Sequence, residues 1–255
     1  MLNLCERPSS YAADVQELSS AGRLAAWGSA ALAGAVSPDE AAGKVTGPVD
    51  PGHRVLGLPG EDGPVNLAYA FGRLRSLGAT GLRLVLSRPG DPGGLPGPAE
   101  FTESAVACGE AVIATGAAQI GLLAQGRALW SALRVDPDRR TPVSLADADK
   151  HLGDVVREGA VVLARLDVAR WDPGAADVLK QRSRPRPPEL PPSASAAAHQ
   201  VLAQALRVAT IVELARAGDG GSVSVGEMAA RSQVLRDLDA ASRRAVEAAC
   251  SPAVG

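Results

Sequence analysis

The sequence predicts an α+β protein: a mixed β-sheet with packed helices, in the order β-α-β then β-β-β-α-β, plus an all-α C-terminal appendage. Three observations predict it. Over residues 54–98 an apolar helical run lies between two strand-like ones. Over 110–135 three short apolar runs follow one another with turn residues between them. Beyond the proline-rich stretch 183–193 the chain turns Ala-rich and helical in period. These shifts divide it into an N-terminal helical segment (1–52), a sheet domain (53–182), a Pro-rich linker (183–192) and a C-terminal helical subdomain (193–255).

A first helix is expected over 10–35, capped by Ser9 or Ser10, with Leu18, Leu24, Trp27, Ala31 and Leu32 on its apolar stripe. A second follows at Pro38–Val45, where Ser37 is the N-cap and Pro38 takes the first helical position. Val55–Leu58 reads as a strand. Leu67, Phe71, Leu74 and Leu77 then recur at helical spacing, so a helix is expected over Val65–Leu77, closed by Gly78. Leu82, Leu84 and Leu86 alternate with Arg83 and Val85 in a second strand, Leu82–Ser87.

Glu100–Cys108 fits a short helix, and Glu110–Thr115, Gln119–Gln125 and Ala128–Val135 a three-stranded meander. Ser144 opens a helix that Gly159 stops, and Ala160–Val168 reads as a further strand. A modest helix at Pro173–Arg182 precedes prolines that continue neither helix nor central strand. Ser193 or Ser195 caps a long helix to Ala217. The sequence GDGG (218–221) breaks it, and helices at Val225–Ser232 and Val234–Ala249 complete the chain.

At 255 residues and 46% hydrophobic content the chain can bury a substantial core, which excludes wholesale disorder. Aromatic residues are only 3%, so that core falls to Leu, Val and Ala and leans on close packing or a subunit interface. A net charge of -2 disfavours bulk nucleic acid and anionic membrane as partners. The N-terminus has no signal-peptide pattern, and no window reaches the roughly 18 uninterrupted apolar residues of a membrane span. Cys5, Cys108 and Cys250 are odd in number and lack metal spacing. They imply a reducing cytoplasm without a disulfide framework, with Cys108 a small buried hydrophobe. The expectation is a cytoplasmic protein without a metal or cofactor.

Two Gly-rich loops are the candidate ligand sites. GLPGEDG places Gly57, Gly60 and Gly63 between strand and helix, where a dinucleotide fold holds its phosphate loop. Glu61 and Asp62 oppose phosphate there, Pro59 and Pro64 stiffen the turn, and a plain strand-to-helix turn explains the glycines as well. RPGDPGGLPGP (88–98) is the longest Gly/Pro loop; with Ser87 it offers Arg88 and Asp91 as polar groups, against the reading of a surface loop. A strand end at Asp167–Trp171 is a third, weaker position. His53, His151 and His199 each stand alone in their segments and read as surface or capping residues. The helices over 207–249 raise the question of DNA binding, but Arg236, Arg243 and Arg244 compete there with Asp237, Asp239 and Glu247, and no wing follows. Val201, Leu202, Ala205, Val208, Ala209, Val212 and Ala215 form a wide apolar stripe that the sheet or a second copy must cover.

Four stretches, LRLVLSRPGDPGGLPGPAEFTESAVACGEAVI (82–113), VLARLDVARWDP (162–173), LRVATIVELA (206–215) and SRRAVEAACS (242–251), are similar to a group of uncharacterised actinomycete proteins. The excess of Arg over Lys, which occurs only at 44, 150 and 180, fits coding bias in a high-GC bacterium. The resemblance implies a bacterial cytoplasmic protein and carries no activity or site residue. The leading expectation is therefore a non-catalytic protein that self-associates as a dimer and acts by protein contact. A small-molecule or nucleotide-binding protein using Gly57, Gly60, Gly63, Ser87, Arg88 and Asp91 is the alternative, and a helical DNA-associated module at 207–249 the second.

Overall fold

A computed structural model describes residues 18–47, 52–126, 128–138, 143–165, 189–217 and 225–251. In chain order these form α1 (Ser20–Leu32), α2 (Pro38–Thr46), β1 (Arg54–Leu56), β2 (Val65–Asn66), α3 (Leu67–Ser76), β3 (Ala79–Val85) and α4 (Ala99–Cys108). They continue with β4 (Ala111–Gly116), β5 (Ile120–Gln125), β6 (Leu129–Arg134), α5 (Leu145–Arg165), α6 (Ala196–Ala217) and α7 (Val225–Cys250). The fold is α+β, a mixed six-stranded sheet of order β2-β1-β6-β5-β4-β3 with helices packed on it.

Local chemistry sets the helix starts. Ser19 accepts the Gly22 N–H at 3.1 Å, Ser37 that of Glu40 and Ser195 that of Ala198, each relieving a donor the first turn cannot satisfy. The expected caps Ser9 and Ser10 lie outside the described residues. Asn66 caps α3 through the Tyr69 N–H at 2.8 Å. This holds Val65 and Asn66 out of the helix, and they pair antiparallel with β1 as a short edge strand.

The meander is as expected: β4, β5 and β6 pair antiparallel, with Val112 opposite Leu122 and Leu122 opposite Ala132. The sequence does not reveal that β1 runs parallel to β6, or that β3 joins the far side of β4. Residues 54–85 are thus no βαβ unit of adjacent parallel strands. Their chain leaves one edge of the sheet and returns at the other.

Alternation along the strands builds two cores. Leu82, Leu84, Val112, Leu122 and Trp130 face α1, α3 and the C-terminal helices in the larger one. Val85, Ala111, Ile113 and Leu123 face the other way, beneath Phe101 and Ala105 of α4. Gly28 lets α1 lie against β3, since a Cβ there would stand 2.9 Å from Phe71 Cε1 and collide with Leu82.

Two expected boundaries are wrong. The strand at Ala160–Val168 is not formed: α5 continues helically through Gly159 to Arg165, and 166–168 lie outside the described residues. Gly159 serves close packing, because its Cβ would meet Val234 Cγ1 at 3.1 Å. A short apolar run has no period of its own to separate strand from buried helix. The helices at Val225–Ser232 and Val234–Ala249 are one helix, α7, with neither Gly nor Pro between them to break it. The expected helix at Pro173–Arg182 falls outside the described residues.

The apolar stripe of α6 is covered within the chain. Val201, Leu202, Ala205, Val208 and Val212 are buried with Val234, Leu238 and Ala241 of α7 in the main core. Cys108 is half-buried and disulfide-bonded, while Cys250 is free and buried. The reducing-compartment argument drawn from an odd cysteine count thereby loses its ground, since counting does not reveal which thiols meet in space. No helix among the described residues is long and apolar enough to cross a membrane.

Candidate functional site

The two Gly-rich loops lie at opposite edges of the sheet and form no common site. Gly57 has φ +84°, and a Cβ there would stand 2.8 Å from the Ala132 carbonyl oxygen, so this glycine is a close-packing residue beside β6. Gly60, also at φ +84°, lies against the Arg73 guanidinium, and Gly63 faces open space. The loop turns a carbonyl toward that cation: Arg73 Nε and Nη2 donate to Pro59 O at 3.0 and 2.6 Å. Glu61 accepts a hydrogen bond from the Tyr69 hydroxyl at 3.0 Å and pairs with Arg73 Nε at 3.5 Å. The loop thus carries a carboxylate where a phosphate loop presents N–H groups.

Ser87, Arg88 and Asp91 belong to the opposite edge. Ser87 is fully buried, its hydroxyl donating to Ala105 O at 3.0 Å, and Arg88 and Asp91 exchange backbone hydrogen bonds across a tight turn. The Asp91 carboxylate pairs with Arg243 of α7 at 2.8 Å. The hydrogen bond from Arg243 lowers the Asp91 pKa despite partial burial. Burial opposes the charge of Arg243, but hydrogen bonds and ion pairs with Asp91 and Asp239 outweigh it and raise its pKa. This places an expected ligand residue, Asp91, in the joint that holds α7 to the sheet. Arg243, weighed above as a DNA-contacting residue, is buried in the same joint, and the turn between two final helices is absent.

An open cleft of about 540 Å³ lies at the other edge, beside β2. Gly52, His53, Arg54, Pro64, Val65, Asn66 and Tyr69 line it. His53 is only 3% exposed, against the expectation of a surface residue. Its Nδ1 accepts the Trp130 indole N–H at 3.1 Å; because that group only donates, Nδ1 carries no proton. The His53 carbonyl accepts the Leu67 N–H, which ties the start of α3 to the chain entering β1. Arg54 Nη2 donates to Pro64 O at 2.6 Å across the β1–β2 turn. Tyr69 is 53% exposed, and its hydrogen bond to Glu61 raises its pKa.

Sequence reasoning did not single out Arg54, Asn66 or Tyr69. One signal was present: Tyr69 is one of only two tyrosines, set at a polar position of an amphipathic helix. The strand end at Asp167–Trp171 lies outside the described residues. Among the described residues no group of three or more His, Cys, Asp or Glu side chains is placed to hold a metal ion.

Fold and site together define an α+β protein with a polar cleft at one sheet edge and a C-terminal helix fastened to the other. The chain belongs to the Rv1486c-like protein family: the model of that family's N-terminal domain matches residues 21–145, and that of its C-terminal domain residues 146–247. The family's mycobacterial name agrees with the actinomycete resemblance, and its description names no activity. The division between the two matches falls at the start of α5. No curated protein and no solved structure matches the chain.

Proposed function

We propose that the protein binds a small polar molecule in the cleft between β1, β2 and α3. The observation that carries this is the cleft itself, whose volume of about 540 Å³ falls within the roughly 300–1,000 Å³ usual for ligand sites. Its polar side chains come from a strand, a helix cap and a helix, and the start of that helix is tied to the buried His53 by the Leu67 N–H. Rigid elements hold such groups in place better than a loop does. The Gly57–Gly63 loop contributes through Glu61, which fixes the Tyr69 hydroxyl.

The test is a nitrogen-15 NMR titration with a panel of metabolites. The Trp130 indole N–H and the amides of Asn66 and Tyr69 should shift together and saturate for at least one compound. Silence of all three across the panel overturns the reading.

A second reading retains protein contact, at a different surface from the one first expected. The α6 stripe is covered in cis, whereas Val161 near the C-terminal end of α5 and Val225 and Met228 at the start of α7 are exposed. Light scattering after size exclusion tests it: a dimer that Val225→Asp converts to monomer supports contact there. A wild-type monomer at all concentrations removes it.

A further inference from the structure

We infer that the ligand of this cleft carries an oxyanion, a carboxylate or phosphate group, recognised by Arg54 and the Asn66 amide; this rests on the cleft being a binding site. A count of hydrogen-bonding groups around the cleft points to it. Three acceptors in or beside the cleft are engaged. Glu61 holds Tyr69 and Arg73, Pro64 O takes Arg54, and Asn66 Oδ1 takes the Tyr69 N–H. The donors are not. Arg54 uses one of its five N–H groups, on Pro64 O, and has no acidic partner among the described residues. The Asn66 amide is fixed through its oxygen, which leaves its NH2 without a partner among the described residues.

A wall that keeps the Arg54 and Asn66 donors unused selects a ligand that offers acceptors to them, and a guanidinium selects planar or tetrahedral oxyanions by paired N–H contacts. The Arg54–Pro64 hydrogen bond orients that guanidinium in advance, so less side-chain freedom is lost on binding. Asn66 is the first cap of α3, and the positive end of that helix adds to the same field.

The experiment titrates inorganic phosphate, malonate and glycerol into nitrogen-15-labelled protein, wild type, Arg54→Gln and Asn66→Asp. Phosphate or malonate should shift the Asn66, Tyr69 and Trp130 signals saturably, and the better of the two identifies which oxyanion the ligand carries. Arg54→Gln should weaken that binding by about tenfold or more, the scale of one charge-assisted contact. Asn66→Asp preserves the cap and the fold, because Asp caps as well as Asn, yet places a negative charge where the amide donor stood and should abolish binding. Saturable glycerol binding without anion binding, or anion binding indifferent to both variants, overturns the oxyanion while leaving the cleft a binding site. If none of the three probes moves these signals, the oxyanion is overturned by these probes; the cleft itself then falls only if the wider metabolite panel is silent too.

Discussion

Glu247 of α7 accepts the backbone N–H of Leu86, just beyond the end of β3, at 2.6 Å, although the two are 161 residues apart. Leu86 is the last of three residues whose backbone points outward from the sheet edge, and each is met by a side chain. Ser29 Oγ both donates to Leu82 O and accepts from Leu82 N, Ser251 accepts from Leu84 N, and Arg243 donates to Leu86 O at 2.7 Å. An open edge is a template for pairing with another chain, and here helices from both family domains close it.

Glu247 makes this joint sensitive to pH. Burial raises its pKa to about 7 from an ordinary 4.5, against the opposing pull of the Leu86 N–H and Arg243. A folded-state pKa raised above the unfolded one gives stability that is complete below pH 4.5 and is lost as pH climbs through 7. The shift sets an upper scale of about 3 kcal/mol. Glu247→Gln keeps the acceptor and removes the titration, so urea midpoints at pH 5 and pH 8 should differ less in the variant than in the wild type. An equal difference in both would show that Glu247 ionises without cost.

Arg243 is 9% exposed and joins Leu86 O, Asp91 and Asp239. Arg243→Ala leaves the Asp91 carboxylate and the Leu86 carbonyl without their cation, and Asp239 with only Arg216 at 3.6 Å, and should cost about 3–5 kcal/mol in chemical denaturation. Arg157→Ala, which removes an exposed partner of Asp154, should leave the midpoint unchanged.

Ser29→Ala removes both partners of Leu82 at once. The expected loss is about 1–3 kcal/mol, and the Leu82 amide should exchange with solvent deuterium faster than in the wild type. Unaltered exchange would mean that water serves this edge as well as the hydroxyl does.

Two helical glycines should respond in opposite directions. Gly28→Ala drives a methyl group toward Phe71 and Leu82 and should destabilise by about 1–3 kcal/mol. Gly43→Ala in α2 meets nothing within 4 Å and should stabilise by about 0.5–1 kcal/mol, read as a rise in Tm. A loss at Gly43 would contradict the open space beside it.

The sequence was legible wherever the signal was local. Ser37 before Pro38, Gly78 after Leu77 and the alternation through Leu82–Leu86 each placed an element within a few residues. Gly159 misled because a glycine inside a helix and a glycine ending one are the same letter; only the nearness of Val234 separates them. The candidate cleft was illegible for a related reason. Arg54, Asn66 and Tyr69 show no spacing motif, and they converge because Asn66 stops short of α3 and folds back on β1.

Periodicity, caps and composition by themselves determined the α+β class, the starts of α2, α5 and α6 and the meander, because those depend on neighbours within a few residues. Tertiary structure alone decided that β1 lies parallel to β6 and β3 at the far edge, that α6 is covered by α7, and that Asp91 faces Arg243. Each of these joins residues far apart in the chain. Backbone pairing and apolar burial have no sequence register to announce them, so the partner is fixed only when the whole core closes.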